Sequence, residues 1–226
     1  MENIVEGMVW YVAFIFSIVV HEAAHALAAL KLGDPTAYHG GQVTLDPRPH
    51  IKREPIGTVV VPIITFLLGG WMIGWASTPY DPFWARRYPQ RSALMSLAGP
   101  LSNLVLIILS GLIIRLGLKS GFFFYPSVFS ISSLVDAVPG SFLSAVAVFI
   151  SILFSLNVIL FAFNLLPLPP MDGSNAVILL LSEETTQKYL DFIQNPIFSL
   201  IGLIIAWKLF GYVLSPIFKL ALNLVY

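Results

Sequence analysis

The sequence predicts an all-α polytopic membrane protein with about five (about four to six) transmembrane helices and a small strand-containing connector after the first. Three observations carry this. Hydrophobic residues make up 57% of the 226 positions and charged residues 11%, whereas an ordinary soluble domain carries about 25% charge; a water-soluble core of this size could not bury so much apolar surface. Several apolar runs reach the roughly 20 residues that a bilayer crossing requires. The charges, finally, gather in the segments between those runs.

The first run extends from Met8 to Leu30 and is interrupted by His21, Glu22 and His25. Its N-terminal flank has no basic stretch and no small-residue cleavage site, so it reads as a retained helix and not as a cleaved signal. A polar connector follows, Lys31 to Pro55, in which Gln42-Val43-Thr44-Leu45 alternates polar with apolar as a short strand does. The second run, Ile56 to Ala76, carries Pro62 and Gly69-Gly70. A loop with Pro79, Asp81-Pro82 and Pro89 leads through Arg91 to the third run, Ser92 to Leu118. The stretch from Lys119 to Gly140 is too rich in Ser and Pro for a span. The fourth run, Ser141 to about Leu166, ends in a proline-rich segment from Pro167 to Pro170 followed by Met171-Asp172-Gly173. A short helix is expected over Asn175 to Ile193, with Glu183, Glu184, Lys188 and Asp191 keeping part of it in water. The last run, Pro196 to about Leu224, is long enough to span despite Pro216. No internal repeat suggests the duplicated halves of a transporter. The whole, 1–226, reads as one domain, with a catalytic core over about 8–175 and a C-terminal helix over about 196–224.

A formal net charge of zero with no basic face excludes nucleic acid as a partner. The absence of cysteine excludes a disulfide, an iron–sulfur cluster and a thiol nucleophile, so any metal must be held by His, Asp or Glu. Orientation follows from the basic residues. The N-terminal flank has Glu2 and Glu6 and belongs outside, whereas Lys31, Arg48, Lys52 and Arg53 put the connector in the cytoplasm, and Arg86, Arg87 and Arg91 put the loop before Ser92 there too. Both loops can be cytoplasmic only if Ile56–Ala76 enters the membrane and returns, which Pro62 and Gly69-Gly70 permit; a plain crossing helix is the alternative.

His21-Glu22-Ala23-Ala24-His25 is a His-Glu-x-x-His pattern. Residues four apart share a helix face, so both imidazoles reach one ion while Glu22 touches water beside it. The bland reading is two core histidines and a charge that fall together. Against it, an ionised Glu deep in a spanning helix costs about 2.5–3.5 kcal/mol on insertion scales, and polar residues at that depth usually serve a function. A bound Zn²⁺, one per chain, offsets that cost. A catalytic zinc needs a third protein ligand and an open position. Asp172 is the leading candidate, because the fourth run must return to the side on which the first ends, about five residues beyond His25. His39 and His50 in the connector could also approach, whereas Asp34, Asp46, Asp81 and Asp191 lie in polar connectors where solvated charge is the default, and Asp136 sits in a soft loop on the opposite side.

His21-Glu22-Ala23-Ala24-His25, then Ala98-Gly99-Pro100-Leu101-Ser102-Asn103, then Asn164-x-x-Pro167-x-x-x-x-Asp172-Gly173 resemble, in order, the three signature segments of the site-2 protease family, peptidase family M50. Thr44-Leu45-Asp46-Pro47-x-x-His50 and Gly74-Trp75-Ala76 resemble the short bacterial and archaeal subgroup without a PDZ domain. The resemblance implies a zinc-dependent endopeptidase cutting in or near the transmembrane segments of membrane proteins. It implies His21, His25 and Asp172 as metal ligands, Glu22 as the catalytic base, and Asn164 as a residue stabilising the carbonyl oxygen or orienting substrate. The expected partners are the lipid bilayer and a transmembrane protein substrate, with the active site inside the cell membrane near its cytoplasmic face. Asn103 is expected to join helices and not to act in catalysis. Two rival readings are a transporter or channel whose His/Glu cluster moves protons or metal ions, with flux that survives Glu22→Gln, and a non-catalytic assembly protein that binds no zinc.

Overall fold

The computed structural model describes residues 2–226. In chain order the helices are α1 (Glu2–Leu32), α2 (Thr36–His39), α3 (Pro47–Arg53), a π-helical turn (Ile56–Val60) running into α4 (Val61–Gly69), α5 (Pro82–Arg87), α6 (Pro89–Lys119), α7 (Phe142–Asn164), α8 (Asp172–Ala176), a 3₁₀ turn (Val177–Leu180), α9 (Glu183–Ile193) and α10 (Pro196–Leu222). Four of them, α1, α6, α7 and α10, are long and apolar enough to cross a bilayer. Of these α7 is the central post, with 61% of its most apolar window buried, and α10 the outermost, with 11%. Leu101, Val105, Leu109, Leu112 and Leu116 of α6 and Leu200, Ile204 and Trp207 of α10 point outward, as an apolar solvent allows.

The expectation of about five spans separates here into four long helices and one short hairpin. Ile56–Gly69 forms a helix about 21 Å long, too short for a hydrocarbon core of about 30 Å. Gly70 ends it at φ +74°, a left-handed conformation that only glycine adopts freely. The chain then runs back extended along the helix it has just left. The Trp75 N–H donates to Gly57 O at 3.1 Å, and the Ser77 hydroxyl donates to Glu54 Oε1 at 2.6 Å, at the level where the helix began. The entering and returning backbones touch at Gly57 and Gly74, where a Cβ on either would overlap the other's main chain. The segment therefore folds back on itself, which agrees with the re-entrant reading.

The ends of the long helices are tied in two groups. At one, the Arg91 guanidinium donates to Leu32 O at 3.1 Å, Asp34 Oδ2 accepts the Asp81 N–H at 2.8 Å, and Arg86 pairs with Asp191. At the other, the Tyr226 hydroxyl donates to Leu134 O at 2.5 Å. The 119–140 stretch is a loop, as its composition implied, and it buries Phe123, Leu134, Val135 and Ala137 against α6 and α7.

Two expectations are corrected. Gln42–Leu45 forms no strand: Gln42 Nε2 donates to Ser77 O, the Thr44 hydroxyl accepts the Asp46 N–H, and Thr44 O accepts from His50, so local side-chain bonds replace a ladder. The only β-bridges among the described residues are the isolated pairs Phe124 with Asp136 and Ser130 with Ser133. Asp34 is not a solvated charge but is 1% exposed, its Oδ1 accepting the Thr36 N–H at 2.9 Å and its Oδ2 reaching Asp81. Asp46 and Asp81 cap α3 and α5, and the helix expected over Asn175–Ile193 is broken at Leu181-Ser182, where the Ser182 side chain caps α9.

Candidate metal centre

His21 and His25 lie one turn apart on α1, about 10 Å before its end at Leu32. Their rings meet edge to face with centroids 4.6 Å apart, and both Nε2 atoms point to one spot, 3.0 Å from each other. What allows both rings in is a missing side chain on α6. Gly99 lies directly against them, and a Cβ there would overlap the Nε2 atoms of both His25 and His21.

The far nitrogen of each ring settles what the near one is. His21 Nδ1 faces Asn103 Oδ1 at 2.6 Å, and His25 Nδ1 faces the backbone carbonyl of Met95 at 2.8 Å. Both partners are acceptors, so both Nδ1 atoms carry the proton and both Nε2 atoms present lone pairs.

Asp172, the first residue of α8, brings Oδ2 to 3.2 Å from His21 Nε2 and 3.3 Å from His25 Nε2. Ionised, this carboxylate has no proton to donate and can only accept. It is thus a third acceptor. Oδ2 is buried and has no hydrogen-bond partner. Three electron-rich atoms at the corners of a triangle with 3.0, 3.2 and 3.3 Å edges repel one another unless positive charge sits between them. A tetrahedral zinc with ligand bonds of 2.0–2.2 Å spaces its donors about 3.3 Å apart. The donor set and its spacing fit Zn²⁺.

Glu22 lies beside this triangle, 5% exposed. The Thr78 hydroxyl lies 2.7 Å from Glu22 Oε2 and 2.9 Å from Glu22 O, so its single proton fixes the carboxylate from the returning hairpin strand. All four residues open into a cavity of about 920 Å³, lined also by the 73–78 backbone, by Asn164 and by Lys208 of α10.

The expected site residues thus converge: His21, His25 and Asp172 share one point, and Glu22 and Asn164 line the same cavity. Asn164 is half-buried at the last turn of α7, open to the cavity. His39 and His50 do not join. His50 is buried with Nε2 on Thr44 O, and His39 ends α2 against Tyr38. Asn103 joins helices as expected, through His21 on one side and Asn157 on the other. Sequence reading missed Thr78, which stands in an unremarkable loop sequence. It also missed Asn157, although an amide in the apolar Ser155-Leu156-Asn157-Val158-Ile159 run was itself a signal.

The sequence profile of peptidase family M50 matches residues 9–209. The chain is 35% identical over 163 residues to a Bacillus subtilis protein named "Putative zinc metalloprotease YwhC", an alignment covering 72% of this chain and 64% of that protein. It is 28% identical over 207 residues to "Putative zinc metalloprotease Rip2" of Mycobacterium tuberculosis, covering 92% of this chain and 70% of that one. Identity to the protein of the same name from Mycolicibacterium smegmatis is 29% over 172 residues, covering 76% and 57%. The chain spans less than two thirds of the YwhC protein's length. No solved structure matches it.

Proposed function

The chain belongs to peptidase family M50, and from that premise we propose that it is a multi-pass zinc endopeptidase that hydrolyses peptide bonds in or near the transmembrane segments of other membrane proteins. One observation carries the reading: three acceptor atoms from His21, His25 and Asp172 form a zinc-sized triangle beside a buried carboxylate, about 10 Å inside the end of an apolar helix. By the positive-inside rule the end bearing Lys31, Arg48, Lys52, Arg53, Arg86, Arg87 and Arg91 is cytoplasmic, so the site lies within the membrane near that face.

Bound zinc supplies Lewis acidity toward a peptide carbonyl and a water molecule. His21, His25 and Asp172 would hold it at the wall of the cavity they line. Glu22 accepts a proton from the attacking water and passes it to the departing amine, with the Thr78 hydroxyl 2.7 Å from its Oε2. Asn164 offers an amide N–H at the cavity wall to the substrate carbonyl. Substrate presents itself as extended chain along the returning strand of the hairpin. There the N–H groups of Ile73 and Trp75 are bonded into the protein, whereas those of Gly74, Ala76 and Thr78 have no protein partner among the described residues. The Ser77 N–H has no such partner either, so the run from Ala76 to Thr78 leaves its donors free to pair with a second extended chain, as the open edge of a β-strand does.

The test is co-expression with single-span membrane proteins, comparing wild type with Glu22→Gln. A fragment cut within the span, seen with wild type only, is the expected result. A fragment that persists with Glu22→Gln contradicts the mechanism. Ion flux in sealed vesicles that survives the same substitution would favour a transporter.

A further inference from the structure

The two metal-facing histidines are oriented by unlike groups. His25 Nδ1 bonds to the Met95 carbonyl, a backbone acceptor with no donor face to turn. His21 Nδ1 bonds to Asn103, whose side-chain amide has an oxygen on one side and an NH₂ on the other. Turned over, Asn103 would offer a donor to Nδ1, move the imidazole proton to Nε2 and abolish the lone pair that faces Asp172. Something must hold that amide one way round.

We propose that Asn157, with Ser17, is a positioning pair that locks the Asn103 amide and thereby fixes the metal-binding tautomer of His21; the inference rests on the metal centre proposed above. The chain of bonds has one consistent direction. The Ser17 hydroxyl donates its only proton to Ala13 O at 2.7 Å, so its oxygen can only accept. It accepts from Asn157 Nδ2 at 2.9 Å, and the same NH₂ donates to Leu153 O at 2.7 Å. With its nitrogen held by two acceptors, Asn157 must turn its oxygen to Asn103, where it accepts from Nδ2 at 2.8 Å. Asn103 is then left with its oxygen toward His21. Ser17, Asn103 and Asn157 are all fully buried, so no water offers any of them an alternative partner. The relay starts from the α1 and α7 backbones, crosses α6 and ends on the imidazole, and every link forces the polarity of the next.

Two substitutions separate this role from simple helix adhesion. Asn157→Leu packs an apolar side chain into an apolar helix but releases Asn103. Asn157→Asp buries an acid, yet still presents an oxygen to Asn103 Nδ2 and so keeps the lock. Zinc dissociation constants are measured by chelator competition on the purified full chain in detergent, and unfolding temperatures on its metal-free form. The expected result is zinc binding weakened about 10- to 100-fold by Asn157→Leu, in the range of lost outer-shell partners, with Asn157→Asp close to wild type despite its lower unfolding temperature. Affinity that merely follows stability, with Asn157→Asp the weaker binder, overturns the proposal, as does an unchanged affinity in Asn157→Leu. Asn157→Ala makes the same comparison if leucine is not accommodated. Wild-type protein that binds no zinc would instead refute the metal centre itself, a distinct failure.

Discussion

At the residue scale the centre is a matter of which atoms carry protons. His21 and His25 each spend their one proton away from the site, on Asn103 and Met95, so three acceptors meet with nothing between them. Gly99 matters as much as any ligand, because the rings occupy the space its side chain would fill. Gly99→Ala should leave the helices intact, since alanine is the best helix former, and yet lower zinc affinity on the order of 10²-fold; circular dichroism paired with a chelator titration checks both halves. His21 and His25 were legible in the sequence as proposed ligands because a His-Glu-x-x-His turn encodes its own geometry, whereas Asp172 had to be reached from the course of the fourth span and from the family resemblance. Thr78 and Asn157 were not legible, because their roles exist only through partners 56 and 54 residues away in the chain.

At the element scale the hairpin from Ile56 to Thr78 sets the character of the site. Two readings of this segment were open from the sequence, a crossing helix and a re-entrant one; the helix stops at Gly70 after about 21 Å, which favours the second. The chain contains no cysteine, so single cysteines can be placed freely. Phe83→Cys should react with a membrane-impermeant maleimide from the same face as Lys31→Cys and the opposite face to Ser127→Cys; a crossing helix would instead put Phe83 opposite Lys31 and group Lys31 with Ser127. The strand expected at Gln42–Leu45 was a sound pattern with the wrong outcome, because alternation predicts an extended segment only where a neighbouring backbone is free to pair. The segment with unpartnered N–H groups lies instead at 74–78, where Gly-Trp-Ala-Ser-Thr shows no alternation of polar with apolar residues. Ala76→Pro removes one unpartnered N–H from that segment and should lower cleavage severalfold while zinc content stays at the wild-type level; equal cleavage would remove the segment from the account.

For the whole molecule, four long helices and a hairpin assemble a pocket that gathers His21, Glu22, His25 and Asp172 inside an apolar body. The four long helices could be placed in order from apolar runs, since bilayer thickness imposes their length, but the run at 56–76 was counted with them and forms only a short helix. The pairing of the long helices could not be read, because a helix that is apolar on every side carries little record of which side meets a neighbour. The metal would connect α1 to α8, and α8 follows the chain out of α7, so zinc should stabilise the assembly as a ligand does. At a free concentration about 100-fold above its dissociation constant, zinc should add about 2.7 kcal/mol to the stability of the wild type and almost nothing to that of Asp172→Ala, read as a shift in unfolding temperature in detergent.

The central claim is that two imidazoles and one carboxylate from distant parts of the chain share a single zinc ion. The most direct measurement is the metal content of purified protein by elemental mass spectrometry, wild type against Asp172→Ala. The account predicts close to one zinc per wild-type chain and a small fraction of that in the variant. Wild-type protein that carries no zinc and takes none up, or Asp172→Ala protein that retains it in full, would contradict it.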